Sequence, residues 1–426
     1  MVKLLIIADD FTGALDTGVQ FAKRGIRTQV FTTYDIKDMD LKPETDVLVV
    51  DTESRPVSKE EAYKRVHMIS EWAVERKVPV IFKKTDSALR GNIGMELQAV
   101  VDTDPSYNLF FLPGYPQMER LTRNGIQYIS GKLLEDSVFG KDPFEPVKCS
   151  YIPEIIREQS NISAVCITEK EKSNVAEDIS AQIIICDVTS TEDIDCRLEE
   201  LAKLGKLRML AGCAGLAERL VEKLFPNCKE KNNYICTDSF YAACGSLNRI
   251  TRKQVDYAEV QGGFCARHLT MEQKLDPSYY DRAEGKAFLR ELIELCRKHK
   301  KVLTDTFDRG EDIQNFLDEY SITSEEVRFR ISEIHGRIVR EIIESGIDVT
   351  ILMTGGDTLM GYMKMIQCTQ LEPVCEIEPG VVVSLLEKNG KINQVISKSG
   401  GFGEEDILNR IAEKIIKKGD KKHEER

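Results

Sequence analysis

The chain has 426 residues, of which 42% are hydrophobic and 31% are charged, and its formal net charge is −12 at pH 7. This length and composition predict a globular protein with two domains, because single hydrophobic cores stop growing at roughly 250–300 residues. The acidic balance argues against a nucleic-acid partner and against binding to an anionic membrane surface.

The chain shows no targeting signal and no metal-binding pattern. Met1 leads directly into a predicted strand, without a charged and apolar leader, and no apolar run is long enough to span a bilayer. The 12 cysteines and 5 histidines are scattered, unlike the spacings of disulfide frameworks and zinc sites. We therefore expect a cytoplasmic protein with reduced thiols, no membrane partner and no metal site made of protein ligands alone. Self-association into a homo-oligomer is left open.

The first predicted element is a buried strand, Leu4 to Ile7, and a periodic segment that ends near Gly25 predicts a helix after it. Asp9 and Asp10 lie between the two, at the carboxyl end of the strand, where open α/β sheets bind their ligands. Thr12 and a glycine at the start of the helix could receive an anion or a hydroxyl group. One of the two aspartates could instead cap the helix, so we expect a functional role for the other.

Apolar runs alternate with helical segments as far as residue 225, which indicates βαβ units and a mostly parallel sheet. The predicted strands are 47–50, 79–82, 108–112, 164–167 and 183–188, and the clearest helices are 59–76 and 192–204. Pro, Asn and mixed charges make 226–233 the best linker. The predicted domains are therefore residues 1–228 and 234–418, followed by a charged tail at 419–426.

A second α/β series follows the linker. Its predicted strands are 239–244, 263–269, 301–304, 348–353 and 391–397, and its long helices are 280–298 and 324–345. The fold class expected from both series is α/β, with two Rossmann-like domains, mostly parallel sheets and an active-site cleft between the domains.

Polar clusters follow two strands of the first domain, at 51–55 and at 83–92. A strand that only packs has no need of Lys, Asp, Ser and Arg together at its exit. A ligand with a carboxylate and several hydroxyls would use them, with cations on the carboxylate and Asp or Ser on the hydroxyls. The alternative is a solvated turn with a helix cap at Asn92. Arg120 and Arg123, in a loop rich in proline and glycine, are further candidate anion contacts.

Three glycine-containing loops follow strands of the second domain, at 244–248, 354–358 and 397–403. Glycines let backbone N–H groups approach a phosphate closely, and a following helix adds partial positive charge. Three such loops in one domain predict a nucleotide phosphate site. The chain has neither a Walker A motif nor a GxGxxG fingerprint. In kinases, an Asp beside such a loop can accept the proton of the substrate hydroxyl.

Seven motifs in this order resemble the four-carbon acid sugar kinases, which phosphorylate threonate, erythronate and 3-oxo-tetronates. The resemblance spans nearly the full length and lies in ADDFTGALDTG (8–18), KTDSALRGN (84–92), the loop 113–125, AGCAGLA (211–217), CGSLNRIT (244–251), TGGDT (354–358) and SKSGGFG (397–403). The resemblance implies an acid-sugar domain followed by a nucleotide domain. The chain departs from the family pattern at Phe11, Ala88 and Leu121, beside the expected substrate pocket.

Transferred by position, the family pattern gives two sets of site residues. The expected substrate-binding residues are Asp9, Asp10, Arg55, Lys84, Thr85, Asp86 and Ser87. The residues expected to bind the nucleotide are Ser246, Gly355, Gly356, Asp357, Thr358 and Gly400. Asp357 is the preferred catalytic base and Asp86 is its competitor, while Arg55 and Lys84 are expected to pair the carboxylate of the substrate.

The sequence thus predicts an enzyme of carbohydrate metabolism that uses ATP and Mg²⁺ to phosphorylate a hydroxyl of a small polyhydroxy carboxylate. Two alternatives remain open. One is a non-enzymatic two-domain sensor of a small acid, although such a protein would not need three phosphate-type loops. The other is a metal-dependent phosphohydrolase that uses Asp9 and Asp10, although the histidines show no accompanying ligand spacing.

Overall fold

The computed structural model describes residues 1–142, 146–167, 181–231, 233–307 and 323–417. The chain divides into two compact units, Met1–Lys231 and Asn232–Arg426. The division falls within the segment 226–233 that the sequence suggests as a linker. The predicted tail at 419–426 lies outside the described residues.

The strands of the first unit form one large sheet and one small sheet. In chain order they are β1 (Leu4–Ala8), β2 (Thr28–Phe31), β3 (Val47–Asp51), β4 (Val80–Lys84), β5 (Leu109–Leu112), β6 (Arg120–Arg123), β7 (Ile126–Ile129), β8 (Lys132–Leu133), β9 (Ala164–Ile167), β10 (Ile183–Cys186) and β11 (Met209–Gly212). The large sheet has the order β2-β3-β1-β4-β11-β5-β10-β9, and its described pairs are all parallel. Strands β6, β7 and β8 form a small antiparallel sheet.

The helices of the first unit connect the parallel strands. They are α1 (Phe11–Ala22), α2 (Lys59–Glu75), α3 (Ile93–Val101), α4 (Ile152–Gln159), α5 (Thr191–Lys203) and α6 (Ala214–Leu224), with single 3₁₀ turns at Ile36–Asp38, Pro116–Met118 and Leu134–Asp136. Their starts follow from local chemistry. The side chain of Ser58 accepts from the backbone N–H of Glu61 at the start of α2, and Ser190 and Asp193 form a capping box at α5.

Most strands of the large sheet are buried along their whole length, since a parallel sheet is covered on both faces. This explains why β1, β3 and β5 appear in the sequence as unbroken apolar runs. Strands β2 and β11 were not predicted. Their sequences, TQVF and MLAG, contain polar residues or a glycine, although all four residues of each strand are buried.

The strands of the second unit form a mixed sheet. They are β12 (Ser239–Cys244), β13 (Cys265–His268), β14 (Lys301–Asp305), β15 (Val349–Thr354), β16 (Gln370–Glu378), β17 (Val381–Lys388) and β18 (Lys391–Lys398), in the order β13-β14-β12-β15-β18-β17-β16. The strand pairs β13-β14, β14-β12, β12-β15 and β15-β18 are parallel. Strand β17 pairs antiparallel with both β18 and β16. The predicted parallel sheet therefore carries an antiparallel edge.

The helices of the second unit are α7 (Arg249–Val260), α8 (Met271–Leu275), α9 (Ala283–Lys298), α10 (Ser324–Glu344), α11 (Gly356–Met365) and α12 (Ile407–Ile415), with a 3₁₀ turn at Tyr279–Asp281. Thr323 and Glu326 form a capping box at α10. In the described part of the chain, no helix combines the length and apolar character needed to cross a membrane. The α/β fold in two units is confirmed, and the cleft between them stays a prediction.

Candidate active site

Three strands of the first unit end at the same level of the sheet. Ala8, the last residue of β1, pairs with Asp51 of β3 on one side and with Lys84 of β4 on the other. The residues that follow these strands therefore meet at one edge, as the sequence predicts for parallel strands. Asp9, the loop that carries Arg55, and the segment that begins at Lys84 all lie there.

Arg55 connects the carboxylates at this edge. Its Nε and Nη2 donate to Oδ2 of Asp9 at 2.8 and 2.7 Å, and Nη2 also lies 2.8 Å from Oδ1 of Asp10. The same nitrogen lies 3.7 Å from Oδ1 of Asp86. Because Asp9 is almost fully buried, with 2% of its side chain exposed, these are charge-assisted contacts shielded from water.

Lys84 completes the pairing from the neighbouring strand. Its Nζ donates to Oδ1 of Asp9 at 2.9 Å and to Oδ1 of Asp10 at 2.8 Å. Asp10 also caps α1, because its carboxylate accepts from the backbone N–H of Gly13 at 3.1 Å. A Cβ on Gly13 would lie 1.8 Å from Nζ of Lys84, so this position requires glycine for the ammonium to reach the aspartates. The aspartate that caps the helix is therefore Asp10, and a functional role for Asp9 stays a prediction.

Asp86 is held by a second arginine. Nε and Nη2 of Arg90 donate to its two carboxylate oxygens at 2.8 and 3.1 Å, in a bidentate pair. Arg90 lies in the motif 84–92 but was not predicted as a site residue. The sequence contained a signal for this ion pair, since Arg90 is the fourth residue after Asp86 and side chains at that spacing can meet.

These pairings fix the charge state of the cluster. Burial opposes ionisation of Asp9 and Asp86, yet the charges of Arg55 and Lys84 hold the pKa of Asp9 well below its usual range. Arg55 and Arg90 do the same for the pKa of Asp86. The pKa of Lys84 is raised by the two aspartates despite its burial. Both carboxylates are therefore ionised at neutral pH and are weak proton acceptors.

Asp51 has the opposite environment, and sequence reasoning did not single it out. Its side chain is buried, Oδ1 accepts from the backbone N–H of Glu53 at 3.0 Å, and Oδ2 has no partner among the described residues. Burial, together with the nearby charges of Asp9 and Asp10, raises the pKa of Asp51 well above its usual value. No sequence pattern distinguishes this aspartate from its ionised neighbours.

Arg120 lies beside the cluster, and no carboxylate of the described residues forms an ion pair with its guanidinium. Its Nη1 donates to Oγ of Ser87, and its guanidinium lies over the ring of Phe139, 5.2 Å from the centroid. Within the described part of the chain it forms no ion pair, and burial lowers its pKa. An arginine nevertheless stays protonated at neutral pH. Arg123, the other candidate, is exposed.

Asn92 and Thr85 are buried residues next to the cluster. The amide of Asn92 donates to the carbonyls of Ser54 and Val57, both at 2.9 Å, which fixes the loop that carries Arg55. Asn92 is the N-cap residue of α3, as the alternative interpretation of the sequence has it, but its side chain makes no cap hydrogen bond and bonds this loop instead. Thr85, predicted to bind substrate, is fully buried, and its hydroxyl has no partner among the described residues.

In the second unit, the three glycine loops follow the neighbouring strands β12, β15 and β18. Cys244 pairs with Thr354, and Thr354 pairs with Lys398, so the three strands end side by side. A Cβ on Gly400 would lie 2.3 Å from Oγ of Ser246, and Thr251 donates to the carbonyl of Gly400 at 2.9 Å. The structure therefore brings the first and third loops into contact.

The middle loop completes this group. Gly355 has a φ of 88°, a left-handed conformation that favours glycine, and it precedes α11. A Cβ on Gly355 would lie 3.7 Å from Cβ of Ser246. The hydroxyl of Thr358 donates to the carbonyl of Thr354 at 2.8 Å, so this buried side chain supports the loop rather than facing outward. Gly356 is the first residue of α11.

Asp357 follows in the first turn of α11 and is exposed. Its Oδ2 lies 2.9 Å from Nη2 of Arg328, and 63% of its side chain is accessible. It is the only acidic residue in the first turn of α11. Among the described residues, no group of three His, Cys, Asp or Glu side chains is placed to bind a metal ion.

Comparison with known proteins gives the family. Residues 4–220 match the family model described as a sugar-binding N-terminal domain, and residues 242–408 match the nucleotide-binding C-terminal domain. The D-threonate kinase of Salmonella typhimurium is 28% identical over 421 residues, which cover 96% of this chain and 97% of that protein. The chain belongs to the four-carbon acid sugar kinase family. It is a kinase, a phosphotransferase with an alcohol group as acceptor.

Other relatives of this kinase have different named substrates. The D-erythronate kinase of Heliobacterium modesticaldum is 26% identical and covers 98% of each chain. The 3-oxo-tetronate kinase of Pseudomonas fluorescens is 23% identical and covers 95% of each chain. Two solved structures, from Salmonella typhimurium LT2 and Haemophilus influenzae, share the fold at 19% identity, with TM-scores of 0.83 and 0.75. Each covers 97% of the kinase and is itself covered completely.

Proposed function

We propose that this kinase transfers the γ-phosphoryl group of ATP to a hydroxyl of threonate, erythronate or a 3-oxo-tetronate. The observation that carries this proposal is the edge of the first sheet, where Asp9, Arg55, Lys84 and Asp86 form a buried polar cluster. A site of this kind suits a small ligand with many oxygens and little apolar surface. The named substrates of the relatives are such molecules.

The charges of the cluster suggest how an acid sugar would bind. Three carboxylates (Asp9, Asp10 and Asp86) form ion pairs with three cations (Arg55, Lys84 and Arg90), and Arg90 also lies 3.5 Å from Asp142. Arg120 donates to Ser87 but forms no ion pair among the described residues. We propose that Arg120 pairs with the carboxylate of the substrate.

This refines the expectation that Arg55 and Lys84 would pair that carboxylate. Each of them already bonds two carboxylates of the chain. Their role in our proposal is to hold Asp9 and Asp10 ionised and oriented, so that these carboxylates accept hydrogen bonds from the sugar hydroxyls. Ser87, whose hydroxyl contacts Arg120, would lie next to the carboxylate end of the substrate.

The nucleotide would bind at the glycine loops of the second unit. The proposed contacts are Ser246, Gly355, Gly356, Asp357 and Gly400, and the buried Thr358 would support the loop that carries them. Because glycines have no Cβ atom, the glycines of these closely packed loops leave backbone N–H groups accessible to phosphates. The N-termini of α7 and α11 add partial positive charge. The match of this unit to a nucleotide-binding domain supports the assignment.

Mg²⁺ is proposed to arrive with the nucleotide. This ion keeps several water ligands and commonly needs only one or two carboxylates in addition to phosphate oxygens. That requirement fits a unit in which the described side chains form no metal cluster of their own. When bound, the ion would neutralise charge on the transferred phosphoryl group.

Asp357 is our proposed base for the hydroxyl proton. Asp86, the competitor, is clamped by two arginines that hold its pKa far below the usual value, which makes it a weak proton acceptor. Asp357 has a single, exposed arginine partner and lies in the first turn of α11, beside the phosphate loops. A loose transition state depends above all on good alignment of the attacking hydroxyl with the phosphoryl group.

The phosphohydrolase alternative is disfavoured by the site itself. Asp9 and Asp10, its proposed metal ligands, are already bonded to Lys84 and Arg55, and a divalent cation would have to displace both. A sensor without catalytic activity does not account for the family of kinases to which the chain belongs.

A thermal-shift and turnover panel tests the proposal. The purified protein is heated with ATP, with Mg²⁺ alone, and with each four-carbon acid, and ADP release is then followed with all three acids. Stabilisation by ATP and acid-dependent ADP release are expected. Stabilisation by an acid but not by ATP would support the sensor, and stabilisation by Mg²⁺ alone would support the hydrolase.

A further inference from the structure

Lys398 lies where the three glycine loops meet. It is the last residue of β18 and is flanked by Thr354 of β15 and Val381 of β17. Its backbone carbonyl accepts from the N–H of Gly355 at 2.8 Å. The side chain is buried, with 1% of the residue exposed. An ammonium group is therefore enclosed against the loop after β18, where it bonds the carbonyl of Ser399.

The charge of Lys398 has no counter-ion within the described residues. Its Nζ donates to the carbonyl of Ser399 at 2.9 Å and forms no ion pair there. The titratable group that faces it is the thiol of Cys244, and burial raises the pKa of that thiol to about 12, so the thiol is neutral. The flanking strands contribute Thr354 and Val381, which do not titrate.

The two side chains of α7 that bond the loop after β18 are neutral as well. Thr251 and Gln254 of α7 bond the carbonyls of the loop after β18, at residues 400, 402 and 403. Lys83, a comparably buried lysine in the first unit, shows the usual arrangement, since its Nζ lies 2.9 Å from Glu96. Lys398 departs from that arrangement, and its departure calls for an explanation because burying an unpaired charge is costly.

An anion that arrives with a ligand would supply the missing charge. We propose that Lys398 is a positioning residue for the nucleotide, whose phosphate groups neutralise its buried ammonium. This inference rests on the proposed nucleotide site and adds to it a residue that the motif comparison did not assign. The lysine acts as a point charge next to the backbone of the loop after β18.

The protonation of Lys398 should respond to this ligand. Burial lowers its pKa to about 8 in the free protein, because a low dielectric disfavours the charged form. A bound phosphate favours the charged form and raises that pKa again. At a pH slightly above 8, nucleotide binding must therefore be coupled to proton uptake.

Isothermal titration with ATP, without an acid sugar, tests this coupling. At about pH 8.5, in two buffers with different ionisation enthalpies, the wild type is expected to take up more than about half a proton for each nucleotide bound. Lys398→Met is expected to bind roughly tenfold or more weakly and to take up no proton. Lys398→Arg should keep most of the affinity but lose the uptake, since arginine remains protonated. Lys391→Met, at the exposed start of the same strand, should match the wild type.

The outcomes separate this inference from the function on which it rests. ATP binding by the wild type without proton uptake, or equal affinity of Lys398→Met, would overturn the role of Lys398 and leave the nucleotide site intact. Pyrophosphate serves as a second titrant. If the wild type bound pyrophosphate with proton uptake but did not bind ATP, the nucleotide assignment would fail and Lys398 would remain a phosphate contact. A wild type that bound neither would overturn both.

Discussion

Arg55 and Asp9, 46 residues apart in the chain, share two charge-assisted hydrogen bonds of 2.8 and 2.7 Å at the edge of the first sheet. The pair joins the loop after β3 to the end of β1. The conformation of the loop and the ionisation of the aspartate therefore depend on each other. The proposed acid-sugar site depends on this pair, because Lys84 and Asp86 extend the same network.

Removal of Arg55 should affect both stability and catalysis. Arg55→Ala leaves Lys84 as the cation paired with Asp9 and Asp10, and breaking a buried pair costs about 3–5 kcal/mol. We expect a loss of that size in urea unfolding and a fall of about 10²-fold or more in kcat/KM for the acid sugar, with ATP affinity retained. Arg157→Ala removes an exposed pair on α4 and should cost at most about 1 kcal/mol. Equal effects of the two variants would contradict the network.

Gly13 should matter mainly through Lys84. A Cβ at this position would overlap Nζ of Lys84 and would also lie 2.5 Å from Oδ1 of Asp10, so Gly13→Ala should displace the ammonium from Asp9 and Asp10. We expect kcat/KM for the acid to fall by about tenfold or more, which corresponds to about 1.4 kcal/mol. The same substitution in a Lys84→Ala background should have a clearly smaller effect, because only the contact with Asp10 remains. Additive losses in this double-mutant cycle would show that the glycine serves the helix itself.

Asp51 should make the free energy of unfolding fall as the pH rises, whereas Asp9 and Asp86, whose pKa values are lowered, should make it increase. Its pKa is raised in the folded protein above the ordinary 3.8, so its contribution is fully present below about pH 4 and is lost as the pH rises. Asp51→Asn keeps an oxygen for the N–H of Glu53 and removes the titration. The variant should gain stability over the wild type between about pH 4.5 and 7.5, by up to about 1.4 kcal/mol per pH unit. Urea unfolding at both pH values measures this gain, and a constant difference would refute the raised pKa.

Two adjacent glycines of the loop after β18 offer a matched comparison. A Cβ on Gly400 would lie 2.3 Å from Oγ of Ser246, whereas one on Gly401 would meet nothing closer than 3.8 Å. Gly400→Ala should therefore separate the first and third loops and weaken ATP binding by about tenfold or more, and Gly401→Ala should have little effect. Titration calorimetry compares them directly. Identical affinities would remove Ser246 and Gly400 from a shared phosphate site.

Local patterns predicted most of the elements because their cause is local. Strands β1, β3 and β12 are continuous apolar runs buried on both faces. Strand β16 was missed although its residues alternate between half-buried and buried, a period-two signal that Pro373 and the charged residues obscured. Strand β4 ends in two buried lysines, which composition alone would place at the surface.

The residues that cluster at the candidate site could be predicted, but the pairs that they form could not. Asp9, Arg55 and Lys84 stand out because polar residues follow apolar strands. Their pairing with one another depends on the register between β1, β3 and β4, which no single segment encodes. For the same reason, neither the raised pKa of Asp51 nor the missing counter-ion of Lys398 could be predicted. Each depends on groups from several strands.

The two candidate bases can be distinguished by isosteric substitution. Asp357→Asn should lower kcat by roughly 10²-fold or more with ATP affinity nearly unchanged, because shape and most hydrogen bonds are kept. Asp86→Asn should mainly raise KM for the acid, since it releases Arg90 and Arg55 from their partner. Steady-state kinetics on both variants decide the matter. Near-normal turnover in Asp357→Asn with a collapse in Asp86→Asn would assign the proton to Asp86.

Phosphorus NMR of the reaction mixture tests the central claim most directly. The protein is incubated with ATP, Mg²⁺ and, in turn, threonate, erythronate and a 3-oxo-tetronate. The account predicts that with at least one acid the γ-phosphate signal of ATP is replaced by that of a phosphate monoester of the acid, together with ADP. Formation of inorganic phosphate alone, or no loss of ATP with any of the three acids, would contradict it.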